Sequence, residues 1–270
     1  MKYQLVTIDL DGTVLGKDGV IIIIAGAREA VQSLLARGIV VTLATGRMYQ
    51  PSNRFAAELN LSAPLICYQG ALIREPGDGE VLWHKPLPLP LARAVISEIR
   101  KAGVHQYAYV DGSIYVEEER EEDLRYARNN GAMLHLVDDL TLLPNRPPTE
   151  VAARGTPEEI DRVLARIRAC CGPEVIVNKV HASFCEIADA ASGKGNALKY
   201  LSGRLGIPQS QTVAIGDSPN DVSMLRWAGL GIVVGDAPDE VRAAADWVID
   251  HKAEDPFCQA VAQLLETIGD

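Results

Sequence analysis

The sequence predicts an α/β fold in which helices cover both faces of a parallel sheet, interrupted by an inserted α+β domain. Three observations carry that expectation. Short apolar, β-rich runs alternate with helical patterns at both ends of the chain, as in a parallel sheet with crossover helices. The stretch between them has a different grain, opening on the Pro-rich segment KPLPLPLA and carrying a second Pro cluster at residues 144–150. A length of 270 residues, 47% of them hydrophobic, is enough for one large domain or two modest ones with real cores. The expected division is a core of residues 1–81 and 189–270, with residues 82–188 inserted.

In the first stretch Leu5 to Ile8, Val40 to Leu43 and Leu65 to Cys67 read as strands, and Ala27 to Leu35 as a crossover helix stopped by Gly38. The last stretch repeats the logic. Asn196 to Leu205 reads as helix, Thr212 to Ile215 as strand, Asp221 to Ala228 as helix, Ile232 to Val234 as strand and Asp239 to Ala245 as helix. Inside the insert, strand-like runs at Tyr107 to Val110, Ser113 to Val116 and Ala132 to Val137 precede the helical pattern TPEEIDRVLARIRAC. Thr156 is its expected N-cap, Pro157 its first residue and Glu159 the capping-box partner.

Charge narrows the function. With 26 basic and 36 acidic residues the formal charge is −10, which disfavours nucleic acid or an anionic membrane as partner. An anionic substrate must therefore meet a locally positive site. The first residues lack a signal-peptide apolar region, and the longest apolar run, Val20 to Ala25, falls far short of the roughly 20 residues that cross a bilayer. A soluble, cytoplasmic chain is expected. Cys67, Cys170, Cys171, Cys185 and Cys258 show no CxxC spacing and read as buried, reduced thiols. The five histidines have no zinc-ligand spacing.

The chemistry is concentrated at four strand ends or turns. Asp9-Leu10-Asp11-Gly12-Thr13 follows the strand QLVTI, so two carboxylates can face the crevice where open α/β sheets bind ligands. One suits a nucleophile or metal ligand, the other a general acid/base, and Gly12 permits the sharp turn. Taken alone, an Asp-rich turn is an equal reading. Thr45-Gly46-Arg47 follows the second strand and offers a hydroxyl, an approachable amide and a guanidinium to an anion. Gly193-Lys194-Gly195 opens a helix without the glycine spacing of a Walker A loop. A lysine there adds charge where the helix dipole already favours phosphate. Gly216-Asp217-Ser218-Pro219-Asn220-Asp221 ends the Thr212 strand. Asp217 can complete a hard-cation site with Asp9, and Asp221 can hold a metal-bound water or Lys194.

In the order DxDGT, strand-T-G-R, G-K-G and G-D-x-x-N-D, these segments resemble the haloacid dehalogenase-like superfamily of phosphotransferases, and more narrowly a Cof-type phosphatase with a type-II (C2) cap. Met224-Leu225 and the stretch from Gly235 to Val248 add to the likeness, which spans nearly the whole chain. The resemblance implies a Rossmann-like core, with the insert as cap, and Mg²⁺ as cofactor. It implies Asp9 as nucleophile, Asp11 as general acid/base, Thr45 as phosphate-binding hydroxyl and Lys194 as the lysine that steadies phosphoryl group and nucleophile. Mg²⁺ would be held by Asp9, by Asp217 and by the main-chain carbonyl of Asp11. Asn220 and Asp221 would support metal and lysine, and Gly12, Gly46 and Arg47 the substrate phosphate. The expected reaction is hydrolysis of a small phosphorylated metabolite, a sugar phosphate or phosphoglycolate-like acid, through an aspartyl-phosphate. A phosphomutase using the same intermediate is the alternative, and a phosphate-sensing module a third.

Four segments depart from the family pattern. Gln69-Gly70-Ala71 stands where many relatives have Asn-Gly-Ala, which puts a substrate contact at Gln69 in doubt. Gly235-Asp236-Ala237 adds an acidic residue, Asp255-Pro256-Phe257 replaces a common Gly-Val pair, and Val20 to Ala25 is unusually apolar and reads as a flap or cap-facing surface. In the insert Asn178, Lys179 and His181 read as a loop between two strands, either specificity residues or a solvated hairpin end.

Overall fold

Residues 2–16, 22–143, 146–250 and 255–268 are described by the computed structural model. In chain order the elements are β1 (Leu5–Ile8), α1 (Ala27–Ala36), β2 (Val40–Leu43), α2 (Tyr49–Glu58), β3 (Leu65–Cys67), β4 (Leu72–Arg74), β5 (Val81–His84), α3 (Leu89–Lys101), β6 (His105–Val110), β7 (Ser113–Val116), α4 (Glu121–Asn130), β8 (Leu134–Leu136), β9 (Glu150–Arg154), α5 (Pro157–Cys171), β10 (Val175–His181), β11 (Phe184–Asp189), α6 (Lys194–Leu205), β12 (Thr212–Gly216), α7 (Val222–Trp227), β13 (Leu230–Gly235), α8 (Asp239–Arg242), β14 (Trp247–Asp250) and α9 (Pro256–Ile268). They divide into two units. The first comprises Met1–Arg47, Ser52–Leu82 and Gly193–Asp270, the second Met48–Pro51 and Trp83–Ser192.

The first unit is built on a sheet of order β14-β13-β12-β1-β2, parallel at every pairing. Every residue of β1 and β12 is buried, as strands covered on both faces must be. Helix α1 packs on α9, α6 packs on α7, and both α7 and α9 rest on β13. The buried stripe of α1, Ala27, Val31 and Leu34, has the helical spacing that makes such packing possible. The sheet order reverses at β1. Chain connectivity runs from it to β2 on one side, while β12 flanks it on the other.

Several elements differ from the sequence reading. A single bridge, Ala44 to Ile66, continues the sheet from β2 toward β3. Tyr68 (φ 50°) and Gln69 (φ 52°) then turn the chain back, so β3 joins β4 and β5 in a sheet of its own. Helix α8 has four residues instead of seven, because Asp246 clamps the chain onto β13. Its amide donates to the Gly231 carbonyl at 2.9 Å, and its carboxylate accepts from the Gly231 amide at 2.8 Å. The prolines that read as a boundary also start α3, where Pro88 is the cap and Pro90 lies in the first turn, a position that needs no N–H.

The second unit contains a six-stranded sheet of order β10-β11-β9-β6-β7-β8, antiparallel except between β7 and β8. Helices α3 and α5 cover one face, over Ala108, Val110, Val151, Ala153, Cys185 and Ile187. The alternate residues Tyr107, Tyr109, Glu150, Ala152, Phe184 and Glu186 turn to the opposite face, where α4 brings Asp123 to the Tyr107 hydroxyl at 2.6 Å. The Thr156 capping box forms as predicted: the Thr156 amide donates to Glu159 Oε2 at 2.8 Å and the Glu159 amide to Thr156 Oγ1 at 3.3 Å. Asn178, Lys179 and His181 lie within β10, in a ladder with β11, and do not form a loop. Lys179 pairs with Asp161 of α5.

All five cysteines are free. Cys67, Cys171 and Cys185 are buried, whereas Cys170 is exposed because it sits off the buried stripe of α5. Val20 and Ile21 of the apolar run, and Pro144 and Asn145 of the second Pro cluster, lie outside the described residues. Of the remainder of that run, Ile23 pairs with Leu15 and Ile22 is 65% exposed. Among the described residues no helix is long and apolar enough to cross a membrane.

Candidate active site

Four carboxyl-terminal strand ends and one helix start converge within the first unit. Strand β1 delivers Asp9, whose amide donates to the Ile215 carbonyl of β12 at 2.8 Å. That bond holds the ends of β1 and β12 side by side, so Asp9 and Asp217 emerge at the reversal of strand order, where open sheets bind ligands. Both are 4% exposed, and Asp221 is fully buried. One carboxylate oxygen from each of the three lies within 4.8 Å of the others.

Lys194, the first residue of α6, is 1% exposed and supplies the ammonium. Its Nζ donates to Asp9 Oδ1 and to Asp221 Oδ1, each at 2.6 Å. Burial alone would lower the lysine pKa, but the carboxylates of Asp221 and Asp9 outweigh it and hold the group above its usual value. Burial, then Asp221 and Asp217, push the Asp9 carboxyl up, against the pull of Lys194. The balance is three buried carboxylates to one ammonium. Such a set of hard oxygen donors, with negative charge in excess, fits a divalent cation.

Asp221 is fixed by more than the lysine. Its Oδ2 accepts from the amides of Asp217 at 3.1 Å and Ser218 at 3.0 Å, which closes the turn whose last residue it is, directly before α7. A Cβ on Gly216 would stand 2.6 Å from the Asp221 carboxyl carbon, so the glycine before Asp217 is required by packing. Gly12 plays the matching part on the other loop. Its φ is +83°, and a Cβ there would lie 2.5 Å from Asp217 Oδ2. Thr13 completes that contact, its hydroxyl donating to Asp217 Oδ1 at 3.3 Å.

Asp11 points away from this group. Its side chain is 53% exposed and accepts two bonds from Arg47, at 2.8 Å from Nε and 2.5 Å from Nη2. Thr45 is fully buried, and its Oγ1 accepts from the Arg47 amide at 3.1 Å. Gly46 lies between them on the loop after β2.

Gln69, which the sequence offers only as a doubtful substrate contact, has a structural part that sequence reasoning missed. It is 3% exposed and bonds to three of the motif loops at once. Its amide donates to the Thr45 carbonyl at 3.1 Å, its carbonyl accepts from the Gly193 amide at 2.9 Å, and its Oε1 accepts from Asn220 Nδ2 at 3.0 Å. Gly70 beside it lets the backbone close on Gly193, where a Cβ would meet the main chain at 2.5 Å. Gln69 thus serves as a brace. Asn220, expected to support metal and lysine, is bound to this brace.

The geometry agrees with comparisons to known proteins. A family model for haloacid dehalogenase-like hydrolases matches residues 6–261. The chain is 28% identical over 262 residues to the 5-amino-6-(5-phospho-D-ribitylamino)uracil phosphatase YitU of Bacillus subtilis, covering 94% of each chain. It is 27% identical to the HMP-PP phosphatase of Serratia proteamaculans, covering 98% of this chain and 94% of that one. A haloacid dehalogenase-like hydrolase from Bacteroides thetaiotaomicron shares the fold, with a TM-score of 0.84 at 24% identity over 98% of this chain and all of that one. With a match that runs from β1 into α9 and takes in all four motif loops, the chain belongs to the haloacid dehalogenase-like hydrolases.

Proposed function

We propose that the protein is a Mg²⁺-dependent phosphatase that hydrolyses small phosphorylated metabolites through an aspartyl-phosphate on Asp9. The observation that carries this reading is the buried Asp9–Lys194–Asp221 array, with Asp217 beside it. An excess of buried carboxylate at a switch point is costly unless cations share the site, and a phosphate ester on its own would be repelled. The phosphatase names of the two relatives support the substrate class.

In this reading Mg²⁺ is held by Asp9, Asp217 and the Asp11 carbonyl, and when bound it supplies charge that offsets repulsion between carboxylate and phosphate. Lys194 orients the Asp9 carboxylate and neutralises charge spreading over the phosphoryl oxygens. Asp9 attacks phosphorus, and Asp11 gives its proton to the departing oxygen. Asp11 then takes a proton from water as that water attacks the aspartyl-phosphate, which releases phosphate and restores Asp9. Thr45, the amides of Gly12 and Gly46, and Arg47 bind the phosphate oxygens, and residues 82–188 form the cap.

The test is phosphate release from phosphorylated sugars, glycolate, nucleotides and cofactors, with Mg²⁺ or with EDTA, alongside Asp9→Asn. Mg²⁺-dependent release that vanishes in a folded Asp9→Asn protein is expected. Equal release by that variant would overturn the nucleophile assignment, and no release by the wild-type protein from any compound would overturn the phosphatase reading.

A further inference from the structure

The turn that follows β3 holds three consecutive residues at positive φ: Tyr68 at 50°, Gln69 at 52° and Gly70 at 94°. Only the glycine takes up that backbone freely. Two adjacent residues with side chains stay in the left-handed region only where their surroundings hold them there. Here the surroundings are loops of the candidate active site. The Tyr68 amide donates to the Arg47 carbonyl at 3.0 Å and the Gln69 amide to the Thr45 carbonyl at 3.1 Å, which fastens the turn to the loop after β2. On its other side the Gly193 amide donates to the Gln69 carbonyl at 2.9 Å, and Gly193 is the N-cap of α6.

The Gln69 side chain reaches a third loop. Its Oε1 accepts from Asn220 Nδ2 at 3.0 Å, and Asn220 directly precedes Asp221, one of the two carboxylates that receive the Lys194 ammonium. Gln69 therefore holds both ends of the lysine. Its main chain fixes the residue from which α6 starts, and its side chain fixes the neighbour of the carboxylate that Nζ meets. The Asn220 Oδ1 is buried and has no hydrogen-bond partner among the described residues, so the bond to Gln69 is what orients that amide. A side chain shorter by a methylene, on a main chain pinned at its amide and its carbonyl, would fall short of Asn220.

We propose that Gln69 is a positioning residue for phosphoryl transfer, whose Oε1 acts through Asn220 to set where Asp221 and the Lys194 ammonium stand relative to Thr45. The assignment rests on the phosphatase reading. Gln69 needs no contact with the substrate for this. The Thr45 hydroxyl and the Lys194 ammonium have to meet one phosphoryl group together, and a misplacement of about 1 Å can cost about 10²-fold in rate.

The experiment is steady-state kinetics of the full chain at saturating Mg²⁺ on its best ester, with Gln69→Met, which keeps the length of the side chain and removes the oxygen. The expected result is a kcat lower by about tenfold or more with KM within about twofold of wild type. Inhibition by orthovanadate, which adopts the five-coordinate geometry of the transition state, should weaken in step with kcat, while inhibition by inorganic phosphate changes little. In an Asn220→Ala background Gln69→Met should cost nothing further. Wild-type kcat in Gln69→Met overturns the assignment, and so does a raised KM with kcat unchanged, which would make Gln69 a substrate contact. Equal weakening of both anions, or a full additional loss in the Asn220→Ala background, also overturns it. Circular dichroism checks folding, and Gln69→Asn, which tolerates the left-handed backbone but loses the reach, carries the test if Gln69→Met does not fold. Phosphate release unaffected by these variants defeats this inference alone, whereas no release by wild-type protein from any ester removes the phosphatase reading and this role with it.

Discussion

Arg47 holds the Asp11 carboxylate through two parallel hydrogen bonds, from Nε at 2.8 Å and Nη2 at 2.5 Å. The proposed acid/base is therefore joined directly to a proposed phosphate ligand. Asp11→Asn is expected to lower kcat by about 10²–10⁴-fold without unfolding the protein, since the side chain is 53% exposed. Arg47→Lys loses the fork that makes a two-point contact and should lower kcat less. Rates measured with matched substrate and saturating Mg²⁺ check both, and an Asp11→Asn protein with wild-type kcat would sink the acid/base role.

Lys194→Met should be the most destabilising single change in the site. It leaves Asp9 and Asp221 buried without their ammonium, a situation that typically costs about 3–5 kcal/mol. Denaturant unfolding in EDTA reads the loss directly. Added Mg²⁺ should recover part of it, because a ligand that binds only the folded state stabilises it by mass action. A variant as stable as wild type in EDTA would mean that the array holds less charge than its geometry implies.

Gly12→Ala should damage the site from the backbone side. A φ of +83° disfavours any Cβ, and the added carbon would stand 2.5 Å from Asp217 Oδ2. The conformational penalty is about 1–2 kcal/mol, and displacement of Asp217 should weaken Mg²⁺ binding as well. Titration calorimetry with Mg²⁺ against wild type measures the second effect, and unchanged affinity would count against Asp217 as a ligand.

The Glu150 carboxyl is held above its usual value, first by burial and then by Glu186, on a face it shares with Tyr109, Tyr126 and Arg154. The folded state therefore binds that proton more tightly than the unfolded chain does. Stability from this group is complete below the unfolded value of 4.5, and it is lost as pH rises through the raised folded value. Glu150→Gln removes the titration, so its melting temperature should fall less than that of wild type as pH increases from about 4.5 toward neutrality. Parallel melting curves against pH for the two proteins would rule out Glu150 as the source.

Much of the candidate site was legible because its residues sit in short local patterns at strand ends. A run such as QLVTI followed by Asp-x-Asp-Gly fixes both the strand and the place where it stops. The brace at Gln69 was not legible, because its three partners come from Thr45, Gly193 and Asn220, and nothing local announces them. Glu150 and Glu186 were hidden for another reason. A glutamate within a strand reads as part of a solvent face, whereas Glu150 and Glu186 are buried. Asn178 and its neighbours read as a loop because polar residues interrupt the β-rich run, whereas pairing with β11 carries the strand through them.

The order in which the chain is made has a consequence for the array around Asp9. That aspartate is synthesised 185 positions before its lysine partner. Strand β12, which must lie directly against β1, is synthesised later still. At about 5–20 residues per second, the nascent protein spends many seconds with a centre strand exposed and its charges unmatched. A chain cut short before residue 212 cannot complete the central sheet, and it leaves one edge of β1 unpaired.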